Sequence, residues 1–164
     1  MHRTLAQEAI QHETPLCFDD IEVGDAWRSP ERIIQDTDVL AFAELTGDHN
    51  PLHLDEEFAS QTPFGRPIAH GLLGMSFVAG LGSRSPWMDT AVFVRVLDWR
   101  FVRPLYVGDT VHVQTQVLEK RPNGRRCGLV CWRRQLLNQH SEIVQEGTTE
   151  TLVMLRGASG IVPR

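Results

Sequence analysis

The chain has 164 residues, 41% of them hydrophobic, with three cysteines and a formal net charge of −5 at neutral pH. That length suits one domain of ~100–200 residues, and the apolar content supplies a core that a disordered chain lacks. The acidic balance excludes the general basic footprint on which phosphate affinity rests, so no nucleic-acid partner is expected.

Residues 1–15 are polar, lack the apolar centre of a signal peptide and read as an N-terminal extension. A single domain is expected over 16–156, followed by a small-residue tail over 157–164. An odd number of cysteines without CxxC spacing argues against a disulfide framework or a zinc knuckle. Cys17, Cys127 and Cys131 read instead as reduced thiols of a cytoplasmic protein.

The first strand is expected from about 25 to 35, interrupted at Pro30. Asp36 or Thr37 then offers an N-cap oxygen for a helix through Glu44 or Leu45. Val39, Phe42 and Ala43 give that helix one buried face, and Gly47 ends it because glycine accepts left-handed backbone angles. Asp48 therefore lies just past a helix end. Pro51 argues against an ordinary helix across 48–53 and holds Asp48 and His53 in one stiff turn. A helical turn is expected over 56–60.

The next helix is predicted to begin near His70 and Gly71 and to end near Gly80 and Leu81. Its run LLGMSFVAGL has no polar residue except Ser76, which predicts burial on all sides. At ~12 residues it rises ~18 Å, too short for a bilayer, and no run reaches the ~18 apolar residues of a membrane span. Leu72, Leu73, Met75 and Phe77 read as core. Ser76 reads as a packing residue bonded back to a carbonyl.

Strands follow. One is expected over 91–101, broken at Arg103-Pro104. Val111, Val113, Thr115 and Val117 alternate with His112, Gln114 and Gln116 in period two. Arg121-Pro122-Asn123-Gly124 signals a hairpin turn, and two further β-rich runs cover 127–137 and 143–155. Trp87, Trp99 and Trp132 read as packing residues with satisfied N–H groups. The arginines of 121–126, Arg133-Arg134, Arg100 and Arg103 read as solvated charge. One long apolar helix followed by several long antiparallel strands predicts an α+β fold with the sheet curled around the helix.

Chemistry concentrates at Asp48 and His53. A carboxylate and an imidazole five residues apart, beside the start of a buried helix, form an acid/base pair suited to an activated carbonyl compound. Singly, each reads as a turn cap or a hydrogen-bonded loop residue. A metal site from Asp48, His49, His53 and His70 is the sharper competitor, but Pro51 disrupts helical ligand spacing. No metal and no cofactor are expected. His70 reads as a helix-start residue satisfied by nearby backbone.

Three blocks carry a family resemblance: FAELTGDHNPLH at 42–53, FGRPIAHG at 64–71 and WRFVRPLYVGD at 99–109. The first is similar to the hydratase motif of MaoC-like proteins, the (R)-specific enoyl-CoA hydratases, and the other two resemble the blocks that follow it there. The resemblance implies the hotdog fold, a homodimer or higher homo-oligomer, and an acyl-CoA substrate running between subunits. It places Asp48 and His53 at the catalytic pair and the Gly71 N–H where the thioester oxygen is bound. It also sets Asn50 in the turn, and Asn50, His70, Leu72 and Ser76 against the substrate.

The implied reaction is reversible hydration of trans-2-enoyl-CoA to (R)-3-hydroxyacyl-CoA, or the reverse dehydration. One departure stands out. Ala79 occupies a position, nine residues after His70, where some members carry serine, although Ser76 lies one turn earlier. The rival readings are a non-catalytic acyl-thioester-binding module or partner subunit, and a thioesterase.

Overall fold

The computed structural model describes residues 14–158. The extension expected over 1–15 and the tail expected over 157–164 lie almost wholly outside them. The N-terminal strand is split, with β1 at Ala26–Arg28 and β2 at Arg32–Ile33. Pro30 makes the break, as expected from its missing N–H. Ser29 mends it, its hydroxyl accepting the Val113 N–H at 2.8 Å and donating to the Pro30 carbonyl at 2.8 Å.

Helix α1 covers Asp36–Thr46 with Gln35 as its N-cap residue, one position earlier than predicted. Asp38 closes that end from inside the first turn, its carboxylate accepting the Gln35 N–H at 2.9 Å. Gly47 terminates the helix at φ 77°, with its N–H on the Ala43 carbonyl.

No helix runs across 48–53, as expected, but Pro51 itself opens a short one. Pro51–Leu54 forms the short helix α2, followed by α3 at Glu56–Ser60. Proline is excluded from helix interiors but suits the first helical position, where its missing N–H would have had no partner. Asn50 supplies the cap, its side-chain oxygen accepting the Leu52 N–H at 3.0 Å.

Helix α4 covers Gly71–Gly82. Then come β3 at Thr90–Phe101, β4 at Thr110–Asn123, β5 at Cys127–Leu137 and β6 at Ile143–Met154. The β4–β5 hairpin turns later than its sequence signal. Pro122 and Asn123 still pair with Gly128 and Cys127, and Gly124 takes the left-handed position at φ 76°.

The sheet is antiparallel in the order β1-β4-β5-β6-β3, with β2 also on β4. Its inner face carries two clusters. Leu73 and Val78 of α4 meet Val111, Val113, Leu136 and Val144 in the first. Phe18, Ile21, Val117, Val130 and Trp132 build the second. Each fully buried aliphatic or aromatic side chain contributes ~1.5–3 kcal/mol. A single helix laid on the curled face of an antiparallel sheet is the hotdog arrangement.

One expectation fails here. Helix α4 is not buried on all sides. Leu73, Gly74, Val78 and Gly82 face the sheet, while Leu72, Ser76 and Ala79 form an exposed stripe. One sheet covers one face of a helix, so an all-apolar helix in one chain leaves the other face open. Among the described residues no helix is long and apolar enough to cross a membrane.

Candidate active site

The three sequence blocks meet at the N-terminus of α4. Gly47 turns the chain out of α1 and delivers Asp48, whose Oδ1 accepts the Asn50 N–H at 3.3 Å. Helix α2 then carries His53 back toward the segment entering α4. The Ile68 peptide is held on both sides by α2: its N–H donates to the Leu52 carbonyl at 3.3 Å, and its carbonyl takes the His53 ring at 2.7 Å. Ala69 donates to the Leu105 carbonyl at 2.7 Å, which brings in the third block.

The His53–Ile68 bond fixes the tautomer of His53. A carbonyl only accepts, so Nδ1 carries the proton and a neutral ring presents its lone pair at Nε2. The same logic applies to His70, whose Nε2 lies 2.9 Å from the Asp48 carbonyl oxygen and therefore donates to it. His70 is 2% exposed and stacks on His53 with ring centroids 3.9 Å apart. Phe42 of α1 closes its other side at 5.1 Å. Its Nδ1 is buried and has no partner among the described residues.

Ligand atoms of Asp48, His53 and His70 lie within 4.8 Å of one another. His70 Nε2 is committed to a carbonyl, as is His53 Nδ1. The Asp48 carboxylate and His53 Nε2 remain open, and His70 Nδ1, although buried, is also without a partner among the described residues. His49 is not part of the group. It faces Glu44 at 3.1 Å, and that carboxylate holds its imidazole above the usual pKa. The Asp48 side chain is 52% exposed, so carboxylate and imidazole open onto the surface beside α4.

Gly71 opens the helix, and its N–H has no acceptor within the helix. The partial positive charge at this end, about half an elementary charge, favours an anion. The backbone approaches the Phe101 ring closely here, and a Cβ would lie 3.0 Å from it, so a side chain at this position would push that exposed ring aside by a few tenths of an ångström. From Leu72 a pocket of about 420 Å³ extends between α4 and the sheet, lined by Leu72, Met75, Ala79, Phe93 and Trp99 among others.

The expected residues divide accordingly. Asp48 and His53 come together with His70, the residue before Gly71, Leu72 and Ser76 line the pocket, and His70 is buried against the His53 ring. Asn50 serves the turn. Ser76 bonds back to the Leu72 carbonyl at 2.8 Å, as expected. Arg100 and Arg103 pair with Glu146 and Glu142 near the strand ends. The Trp132 and Trp99 N–H groups find Thr151 and Gln145, whereas Trp87 is half exposed.

Two residues escaped the sequence argument. Gln145 is buried, donates to the Gly71 carbonyl at 2.9 Å and accepts from Trp99 at 3.3 Å, fixing the start of α4 to the sheet. Arg134 is buried, not solvated, and lines the pocket. Strand alternation could have found it, because two adjacent arginines face opposite sides and Arg134 keeps phase with Trp132 and Leu136.

Comparison with known proteins identifies the family. Residues 20–130 match the family model described as MaoC like domain. The 3-hydroxybutyryl-CoA dehydratase of Methylorubrum extorquens is 42% identical over 117 residues, covering 71% of this chain and 73% of that one. The (R)-specific enoyl-CoA hydratase of Aeromonas caviae is 39% identical over 102 residues, 62% and 74% of the two chains. The crystal structure of the MaoC-like dehydratase from Rhodospirillum rubrum superposes with a TM-score of 0.77 at 30% identity, covering 86% of this chain and 98% of that one. With the sequence blocks, the hotdog topology and these relatives in agreement, the chain belongs to the MaoC-like dehydratase family.

Proposed function

We propose that this protein is a hydro-lyase that adds water to trans-2-enoyl-CoA to give (R)-3-hydroxyacyl-CoA, and removes it in reverse. The observation that carries the reading is the free Nε2 of His53, fixed by the Nδ1 bond to Ile68, beside an open Asp48 carboxylate at the positive end of α4. The names of the relatives from Methylorubrum extorquens and Aeromonas caviae point to the same chemistry.

In hydration the water oxygen bonds to C3 and the C2=C3 electron pair moves toward C2. Negative charge grows on the thioester oxygen, and a proton is delivered to C2. Asp48 and His53 act jointly on one water, taking its proton and returning one to C2. The Gly71 N–H and the helix dipole meet the enolate charge, which exists only between substrate and product and so lowers the barrier. The acyl group lies along α4 in the apolar pocket, and the working unit is a homodimer.

The test is hydration of crotonyl-CoA, followed as loss of enoyl absorbance with the product resolved by stereochemistry. Asp48→Asn and His53→Ala are each expected to lower kcat by about 100-fold or more with the fold unchanged by circular dichroism. Wild-type rates in both variants would overturn the assignment. Release of free CoA thiol in place of a hydrated product would mean thioester hydrolysis.

A further inference from the structure

Arg134 projects from β5 onto the inner face of the sheet, between the two apolar clusters. It is 8% exposed. Nε donates to the Thr149 hydroxyl at 3.2 Å, while Nη1 is buried and has no acceptor among the described residues. The guanidinium lies 5.7 Å from the Trp132 ring centroid. No carboxylate among the described residues forms an ion pair with it, and burial alone pushes its pKa down to about 10.

A buried cation without a counter-ion is costly. The fold nevertheless makes room for it. Gly82, at the end of α4, lacks the Cβ that would overlap Nη1. The negative end of that helix dipole helps the charge, but it leaves Nη1 without an acceptor.

The same guanidinium lines the pocket that begins at Leu72, and the other polar groups there are uncharged hydroxyls: Ser76, Ser83, Thr90, Thr149 and Thr151. Thr149 accepts from Nε and keeps its own proton to donate. We propose that this pocket takes an acyl group whose far end is a carboxylate, and that Arg134 is the residue that recognises it. The inference rests on the acyl-thioester reading of the site and names the substrate class within it. A carboxylate fits because its two oxygens match the donor fork of a guanidinium. A methyl-ended chain of the same length leaves the fork unpaired, and sites built to hydrogen-bond a substrate group reject analogues that lack it.

The experiment compares two length series of trans-2-enoyl-CoA, one ending in methyl and one in carboxylate, on the wild type, Arg134→Met and Gly82→Ala. At its best length the carboxylate series is expected to show the higher kcat/KM on the wild type. Arg134→Met is expected to shift the ratio between the series by about 10- to 100-fold toward methyl. Gly82→Ala, which crowds Nη1 with the arginine intact, shifts it the same way and covers the case in which Arg134→Met fails to fold. A wild type that prefers methyl-ended substrates at every length overturns the proposal, as does an unchanged ratio in folded variants.

Binding of the saturated CoA analogues, measured by calorimetry, separates this from failure of the hydratase reading. If neither series is hydrated but the ω-carboxyacyl-CoA binds more tightly and loses that advantage in Arg134→Met, only the catalytic reading falls. Equal binding of both analogues to the wild type sinks the carboxylate assignment, whatever the turnover.

Discussion

In the proposed reaction His70 acts through its neighbours, without a free donor of its own. Its Nε2–H fixes the Asp48 carbonyl and its ring packs on His53 at 3.9 Å, so both members of the proposed acid/base pair take their positions from it. His70→Phe keeps the ring and loses the hydrogen bond; His70→Ala loses both. Because misplacement by ~1 Å costs about 100-fold in rate, His70→Ala should lower kcat by about 10- to 100-fold. His70→Phe should fall between it and the wild type. KM should change by no more than about 3-fold in either, since the binding groups at Gly71 and in the pocket remain. A KM rise with kcat preserved would place His70 against the substrate instead. The Asp48–His53 pairing was legible in the sequence because it depends on a short-range turn. The proline beside it keeps 48–50 out of a helix, but it also suits the first helical position, and Asn50 before it is a standard cap, so a one-turn helix starts there.

The same distinction between local and long-range information holds for whole elements. The bounds of α4, β5 and β6 follow closely from apolar runs and turn residues, because those signals are local. How α4 seats on the sheet was not legible, since it depends on a residue 71 positions after Gly74 in the numbering, Gln145 on β6. A Cβ at Gly74 would overlap the Gln145 amide, which is pinned by Gly71 and Trp99.

Two effects then compete in Gly74→Ala. Helix propensity favours alanine by ~1 kcal/mol, whereas overpacking a buried contact costs ~1–3 kcal/mol. With the neighbouring amide held at both ends, overpacking should win, and urea unfolding should show net destabilisation of about 1 kcal/mol. Gln145→Ala should also destabilise, by ~1–3 kcal/mol, because the Trp99 N–H and the Gly71 carbonyl lose their partner. In the double variant the alanine at 74 should become neutral or stabilising. Strict additivity would show that Gln145 is not what excludes a side chain at Gly74.

At the scale of the molecule, two open features lie on one side. The sheet ends on β3, whose outer edge has no strand beside it among the described residues, and edge strands of this kind invite pairing with another chain. Val92, Phe93 and Val94 of that strand are exposed, as is Leu72 on the open stripe of α4, at 59%. Phe93 and Leu72 also line the same pocket, so the apolar surface runs unbroken from the sheet edge to the helix. A second copy laid along β3 would extend the sheet and cover both. Such a dimer would account for an all-apolar α4 in a chain that buries only one face of it: periodicity reports that a helix will be covered, and is silent about which chain covers it. The prediction uses the edge rather than the site. Val92→Asp with Val94→Asp sets charge along β3 and leaves Asp48, His53, Gly71 and Arg134 untouched. Sedimentation should report a dimer for the wild type and a monomer for the double variant. Crotonyl-CoA hydration should fall with it by about 10-fold or more, because a pocket open to water loses the dry surroundings that strengthen its electrostatics. A double variant that remains dimeric would move the interface away from β3. A folded monomer with full activity would show that one chain holds the whole site.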